Sequence, residues 1–95
     1  MKKTVVINGD NLTDLESFYT EIDRVCTNGL NWKTGHNLNA LNDILRGGFG
    51  VYEYEEPIVL KWINFEKSKI ALGKEQVLWV LEIISEHKHI EFYSK

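Results

Sequence analysis

The residues whose types and spacing could do chemistry form a polar stripe on one predicted helix: His36, Asn39, Asp43 and Arg46. At about 100° per residue these positions share one helix face, and the opposite face carries Leu38, Leu41 and Leu45. Carboxylate and amide groups held on a rigid helix suit the binding of a basic partner. An ordinary solvated face is the alternative interpretation.

Two details favour a functional face. Asp43 falls in the last turn, where the helix dipole disfavours a carboxylate by about 0.3–1 kcal/mol, although Arg46 could compensate for it. Asn37, Asn39 and Asn42 are poor helix formers, and broken local rules often mark function. Asn42 flanks the stripe.

Residues 47–57 follow this helix and are predicted to form a loop rich in glycine, aromatic residues and glutamate. Such aromatic side chains beside carboxylates suit an interface with a basic partner. Each of Phe49, Tyr52 and Tyr54 could instead pack onto the core. The run Gly47-Gly48-Phe49-Gly50 does not predict a phosphate loop, because no Lys-Ser or Lys-Thr pair follows it.

No catalytic constellation is recognisable in the sequence. His87 and His89 lack a third metal ligand at a known spacing and are predicted to lie at the solvated end of a helix. Cys26 falls on an apolar helix stripe, which predicts a buried thiol and not a nucleophile. We therefore expect no enzyme activity, no metal and no cofactor.

The composition predicts a single globular domain over residues 1–95, with a net charge of -3. This charge argues against direct binding of nucleic acid. Between residues 10 and 60, nine acidic side chains stand against three basic ones, an excess that would attract a basic partner. The apolar run Val5-Val6-Ile7 is too short for a membrane span or a signal peptide, so we expect a cytoplasmic protein that does not bind membranes. We expect the free protein to be a monomer.

Apolar periodicity predicts strands at residues 4–8, 58–63 and 90–93. It predicts four helices: one ending before Asn28-Gly29, a second at 35–46, a short third at 65–72, and a fourth from 74 to about 87. The order β-α-α-β-α-α-β predicts an α/β fold with a small parallel three-stranded sheet flanked by helices, because helical crossovers join parallel strands.

Finer expectations concern caps and tryptophans. Thr13 and Glu16 are predicted to form a capping box on the first helix, and Asn64 to cap the third. Trp62 and Trp79 are predicted to be core residues. Trp32 is either a lid on the core or an interface anchor.

The segment Gly35-His36-Asn37-Leu38-Asn39-Ala40-Leu41-Asn42-Asp43-Ile44-Leu45 resembles the barstar family of ribonuclease inhibitors, whose pattern is approximately Gly-x-Asn-x-Asp-Ala-Leu-x-Asp-x-Leu. Further matches are Val6-Ile7-Asn8-Gly9, Pro57-Ile58-Val59-Leu60-Lys61-Trp62 and Phe65-Glu66-Lys67-Ser68-Lys69. The likeness covers essentially the whole chain in matching order. It implies the same fold, with three parallel strands flanked by helices.

The resemblance also implies an intracellular inhibitor or immunity protein whose second helix, with the loop before it, plugs a ribonuclease active site. Asp43 matches the family aspartate that takes the place of a substrate phosphate. Asn39 replaces a second interface aspartate, Asn42 a tryptophan, and Lys33-Thr34 a pair of tyrosines. The candidate partner-binding residues are Asp43, Asn39, Asn42, His36, Arg46, Gly47, Phe49, Lys33 and Thr34.

The implied partner is a basic ribonuclease or a related nuclease toxin. The alternative is an acidic interaction module that binds a basic protein without nuclease activity through the same helix and loop.

Overall fold

The computed structural model describes residues 2–27 and 37–95. Its elements are, in chain order, β1 (Lys3–Asn8), a 3-10 turn (Gly9–Asn11), α1 (Leu15–Cys26), α2 (Leu38–Arg46), β2 (Ile58–Ile63), α3 (Phe65–Leu72), α4 (Lys74–Ser85) and β3 (Ile90–Ser94). The predicted α/β fold and the predicted order of strands and helices are confirmed.

The three strands form one parallel sheet in the order β1-β2-β3. β2 is the central strand, and Leu60 pairs with Val5 on one side and with Phe92 on the other. Ile58, Leu60 and Trp62 alternate along β2 and are fully buried. Because side chains alternate between the two faces of a strand, this pattern fixes the register of the sheet against the helices.

Trp62 is a fully buried core residue, as predicted. Its ring stacks on Phe18 of α1 with the centroids 5.3 Å apart, and meets the ring of Phe65 edge-on at 5.0 Å. Its indole Nε1–H donates to the Ser68 hydroxyl at 2.8 Å, so its polar atom is satisfied inside the core. The prediction for Trp79 is wrong: its side chain is 43% exposed, because Val77, Val80 and Ile84 supply the buried face of α4.

The start of α1 differs in detail from the prediction. Asp14, not Thr13, is the N-cap, and its side chain accepts from the Ser17 backbone N–H at 2.8 Å. The Ser17 hydroxyl in turn accepts from the Asp14 backbone N–H at 3.0 Å. A capping box is therefore present, one residue later than predicted. Ser17, not Glu16, supplies the side chain that accepts from the backbone N–H of the N-cap residue.

Asn64 precedes α3, as predicted, but its side chain does not cap the helix. Its backbone is left-handed (φ 54), and its side-chain amide instead donates to the Asn8 side chain at 3.1 Å. Asn tolerates this conformation better than most residues, which explains its presence at this corner.

A buried carboxylate fastens α1 to the end of β1. Glu21 is 3% exposed and accepts from the Asn8 backbone N–H at 2.9 Å and from the Asn11 side chain at 3.2 Å. Arg24 donates to both of its oxygens, at 2.9 and 2.8 Å. Burial alone would raise the pKa of Glu21, but these hydrogen bonds outweigh it, so the pKa is lowered.

α2 packs against α1 on one side and α4 on the other. Among the described residues, no helix is both long enough and apolar enough to cross a membrane.

Candidate partner-binding surface

Local sequence determines where α2 begins and ends. The Asn37 side chain accepts from the Ala40 backbone N–H at 2.8 Å, which caps the first turn. Gly47 ends the helix at φ 98, and its N–H donates to the Ile44 carbonyl at 3.0 Å. The buried side of α2 consists of Leu41, Ile44 and Leu45. The predicted apolar stripe contained Leu38 instead of Ile44, but Leu38 is only half-buried.

The opposite side of α2 is exposed and carries Asn39, Asp43 and Arg46, as the spacing predicted. In the part of the chain that the structure describes, neither Asp43 nor Arg46 has a side-chain hydrogen bond or an ion pair. Arg46 therefore does not neutralise the carboxylate three residues before it. Asp43 stands free in the last turn of the helix, where the dipole opposes its charge.

Asn42 differs from these three residues because it is half-buried and already bonded. Its side-chain oxygen accepts from Nε2–H of His87 at 2.9 Å. His89 makes a similar contact one turn further on, donating from Nε2 to the Leu45 carbonyl at 2.9 Å. Asn42 thus links α2 to the turn between α4 and β3.

The prediction of a solvated helix end at His87 and His89 is wrong. α4 ends at Ser85, and His87 is only 8% exposed because the following turn folds back onto α2. Burial lowers the pKa of His87, and the neighbouring His89 and Arg46 lower it further, against the opposite effect of Glu86 and Glu55. His87 is therefore held neutral near pH 7.

The loop after α2 is fixed to the helix by Tyr52. This side chain is buried, and its hydroxyl donates to the carbonyls of Leu45 at 2.9 Å and Ile44 at 3.3 Å. Burial raises the pKa of the Tyr52 hydroxyl, so it stays a donor. Gly47 permits this packing, since a Cβ there would collide with the Tyr52 ring and the Glu53 carbonyl.

The three aromatic residues of the loop therefore have different surroundings. Tyr52 belongs to the core, Phe49 is half-buried against the core, and Tyr54 is 63% exposed. The Glu56 carboxylate accepts from the Glu53 backbone N–H at 2.8 Å, and its pKa is lowered mainly by that hydrogen bond. Of the three aromatic side chains, Tyr54 is the one most available to a partner.

A polar cleft of about 430 Å³ lies between α2, the loop and the turn after α4. Its walls consist of Asn42, Arg46, Glu55, Glu86, His87, Lys88 and His89. Most of these residues were not assigned to the site from the sequence. The sequence held one signal for these residues, a run of four ionisable side chains directly after an apolar helix, Glu86-His87-Lys88-His89. Only the fold shows that this run lies against α2.

The predicted site residues fall into three groups. Asn39, Asp43 and Arg46 share one exposed surface; Asn42 and Gly47 support the helix end, and Phe49 packs behind it. Lys33, Thr34 and His36, together with Trp32, lie outside the described residues.

No group of three or more His, Cys, Asp or Glu side chains among residues 2–27 and 37–95 could hold a metal ion. Cys26 is 2% exposed, as predicted, and burial raises the pKa of its thiol to about 12. A thiol with that pKa is protonated at neutral pH and is a poor nucleophile.

Comparison with known families identifies the chain. The model of the family described as Barstar (barnase inhibitor) matches residues 2–92. The chain belongs to the Barstar family. No curated protein matches it significantly. Membership of the Barstar family implies a barnase-like ribonuclease inhibitor, with a ribonuclease as the implied partner.

Proposed function

We propose that this Barstar-family protein inhibits a basic ribonuclease by seating the exposed surface of α2 over the enzyme's active site. In this proposal, the Asp43 carboxylate occupies the position of a substrate phosphate among basic side chains. The observation that carries it is the unpaired Asp43 carboxylate in the last turn of a helix that is fixed on several sides.

The placement of Asp43 is costly for the isolated protein and useful to a complex. A carboxylate near the negative end of a helix dipole costs about 0.3–1 kcal/mol, and Arg46 does not offset that cost in the described structure. A basic phosphate-binding pocket would supply the missing partner. Charge-assisted hydrogen bonds from arginine or lysine to a carboxylate are among the strongest polar contacts in proteins.

The helix that carries Asp43 is also held in place by contacts within the free protein. Tyr52 and His89 both donate to the Leu45 carbonyl, and His87 holds the Asn42 side chain. A group fixed in advance loses little conformational freedom on association, which favours tight binding. Asn39 and Arg46 flank Asp43 on the same surface and would set the orientation of the enzyme.

The proposal includes an immunity role in which the inhibitor protects the cell that makes the ribonuclease. Such a role requires the inhibitor to act in the cytoplasm. The single free cysteine, buried in the core, fits a reducing compartment.

The test is inhibition of RNA cleavage, with barnase as the first probe and other purified basic ribonucleases after it. Asp43→Asn removes the charge and keeps the shape. Glu66→Gln on α3 is the control, because it removes one exposed negative charge, at the cost of an ion pair with Lys69, from a helix that packs mainly on α4 and the 3-10 turn.

We expect Asp43→Asn to weaken inhibition of the target by about 2–5 kcal/mol, roughly 30-fold to several thousand-fold. This is a general range for charge pairs buried at interfaces, to which the barnase–barstar complex itself contributes. Glu66→Gln should leave inhibition unchanged. Equal inhibition by Asp43→Asn and the unmodified protein would refute the mechanism, and binding only to a basic protein without nuclease activity would favour the interaction-module alternative.

A further inference from the structure

The helices pack against one face of the sheet and leave the other face accessible. Val5, Leu60 and Trp62 point into the core cluster together with the buried residues of the helices. Because side chains alternate along a strand, the residues between them point to the opposite face. We call this the open face, and its residues are Thr4 and Val6 on β1, Val59 and Lys61 on β2, and Glu91 and Tyr93 on β3. None of these six residues is buried.

An accessible face is unusual for a parallel sheet. Parallel sheets occur almost only with both faces covered, whereas antiparallel sheets commonly leave one face to water. The open face also keeps apolar and aromatic surface, since Val6 is 38% exposed and Tyr93 is 46% exposed. A cavity of about 340 Å³ lies on it, bounded by Thr4, Val59, Lys61, Glu91, Tyr93 and Lys95. The open face therefore occupies the layer position that a helix usually covers in such folds.

Lys61 lies at the centre of the open face. In the register of the sheet it is paired with Val6 of β1 on one side and with Tyr93 of β3 on the other. Lys61 is half-buried, and its ammonium group has no ion pair or hydrogen bond among the described residues. An ammonium group between an apolar and an aromatic neighbour loses part of its hydration, and here it gains no carboxylate in return.

The charges at the open face are unequal. Glu91 carries the one carboxylate among its six residues, and that carboxylate already accepts from Lys2 at 3.0 Å and from the Tyr93 hydroxyl. Lys61 therefore remains uncompensated, and Lys95 places a second ammonium group at the rim of the cavity. A carboxylate carried by an apolar partner surface complements this arrangement in both charge and polarity.

We propose that the open face binds a partner protein through an amphipathic helix whose apolar stripe contains a glutamate or an aspartate. The stripe packs on Val6, Val59 and Tyr93 and completes a second layer over the sheet, and the carboxylate pairs with Lys61. Symmetric pairing with a second copy of the chain is disfavoured, because it brings two Lys61 ammonium groups together. Single-stranded nucleic acid is disfavoured by the net charge of -3 and by the single aromatic ring available for stacking.

The open face is separate from the exposed surface of α2. The buried side of α2 belongs to the core cluster on the other face of the sheet, so the sheet and the core lie between the two surfaces. A helix on the open face leaves Asp43 accessible. The chain can therefore hold a ribonuclease and a second protein at the same time, and this inference stands whether or not the inhibitor proposal does.

The test uses a designed amphipathic peptide of about 20 residues, with leucines at positions i, i+3, i+4 and i+7 and a glutamate inside that stripe. A matched peptide carries lysine in place of the glutamate. The backbone amide NMR signals of Val59, Lys61 and Tyr93 report on the open face. We expect saturable shifts of these signals with the glutamate peptide, and about threefold to tenfold weaker binding in Lys61→Gln.

Three variants locate the contact, and the amide spectrum of each shows that it is folded. Lys74→Gln removes an exposed ammonium group from α4, which packs on the other face of the sheet, and should bind the glutamate peptide like the unmodified protein. Lys61→Glu should reverse the preference, so that the open face binds the lysine peptide better. Val6→Thr keeps a β-branched residue in β1 but removes apolar surface, and should weaken binding of the glutamate peptide.

Four outcomes would overturn the proposal. The first is the absence of saturable shifts at the open face with the glutamate peptide. The second is equal binding of both peptides there, since Lys61 would then select nothing. The third is a shift of the same signals when the protein alone is concentrated, which would assign the face to a second copy of the chain. The fourth is tighter binding there of a single-stranded RNA oligonucleotide than of the glutamate peptide at the same ionic strength.

Discussion

Replacing Gly47 by alanine should destabilise the protein more than the same replacement at the adjacent Gly48. Gly47 has φ 98 and ψ -170, a region essentially limited to glycine. A Cβ at Gly47 would also collide with the Glu53 carbonyl oxygen and the Tyr52 ring. Gly48 likewise has a positive φ of 89, but a Cβ there meets nothing within 4 Å. Both variants incur the cost of a positive φ, so the difference between them reports the collision at Gly47 together with its glycine-only ψ.

The magnitudes follow from these two environments. Gly48→Ala incurs the cost of a left-handed backbone alone, about 1–2 kcal/mol. Gly47→Ala adds a forced contact with a backbone atom, and overpacking of this kind costs about a further 1–3 kcal/mol. For a chain of this size, 1 kcal/mol corresponds to about 4–8 °C in Tm, so Gly47→Ala should melt about 4–24 °C below Gly48→Ala.

Urea denaturation and thermal unfolding of both variants measure this difference, and ribonuclease inhibition by the folded variants shows whether the end of α2 has moved. Stabilities of Gly47→Ala and Gly48→Ala that agree within about 0.5 kcal/mol would refute the packing of residues 52 and 53 against Gly47. Since Asp43 lies one turn earlier, the same result would weaken the argument that the loop fixes its position.

Two further predictions concern the supports of α2 and of β1. Tyr52→Phe should lower the free energy of unfolding, measured in urea, by only about 0.5–1.5 kcal/mol. The loss is small because the Leu45 carbonyl still accepts from His89 and the Ile44 carbonyl still accepts from the Gly47 N–H. A loss above about 3 kcal/mol would contradict this reasoning. For Glu21, a lowered native pKa means that its stabilising effect is complete above its ordinary pKa of 4.5 and is lost as the pH falls through the lower native value. Glu21→Gln should cost about 1–3 kcal/mol at neutral pH and flatten the acid limb of the stability profile, whereas unchanged acid denaturation would contradict the role of this carboxylate.

The parts of this fold that local patterns control were predictable from the sequence. β2 spans the predicted residues because an apolar run, interrupted only by Lys61, lies between Pro57 and Asn64. The exposed surface of α2 was predictable because helical periodicity separates Asp43 from Leu41 and Leu45. Where neighbouring residues compete, two local rules can disagree. Asp14 is the better N-cap residue by type, but the spacing of Thr13 and Glu16 fits the usual capping box, and that spacing led to the wrong cap.

The contacts that complete the site were not predictable, because they join distant parts of the chain. His87 and His89 bind α2 across 45 and 44 residues of sequence, and their partners are an amide side chain and a backbone carbonyl. Neither partner leaves a recognisable motif. The same long-range packing assigned Tyr52 to the core and left Tyr54 exposed, although both are aromatic residues of one loop.

The arrangement of charges around α2 bears on how such a protein would choose among basic enzymes. Asp43 attracts any positively charged pocket, so on its own it gives little discrimination. Arg46, exposed three residues later and unpaired in the described structure, opposes a basic group placed on its side of the helix. Attraction at Asp43 with repulsion at Arg46 therefore favours an enzyme whose basic groups match this spacing over one that is uniformly basic.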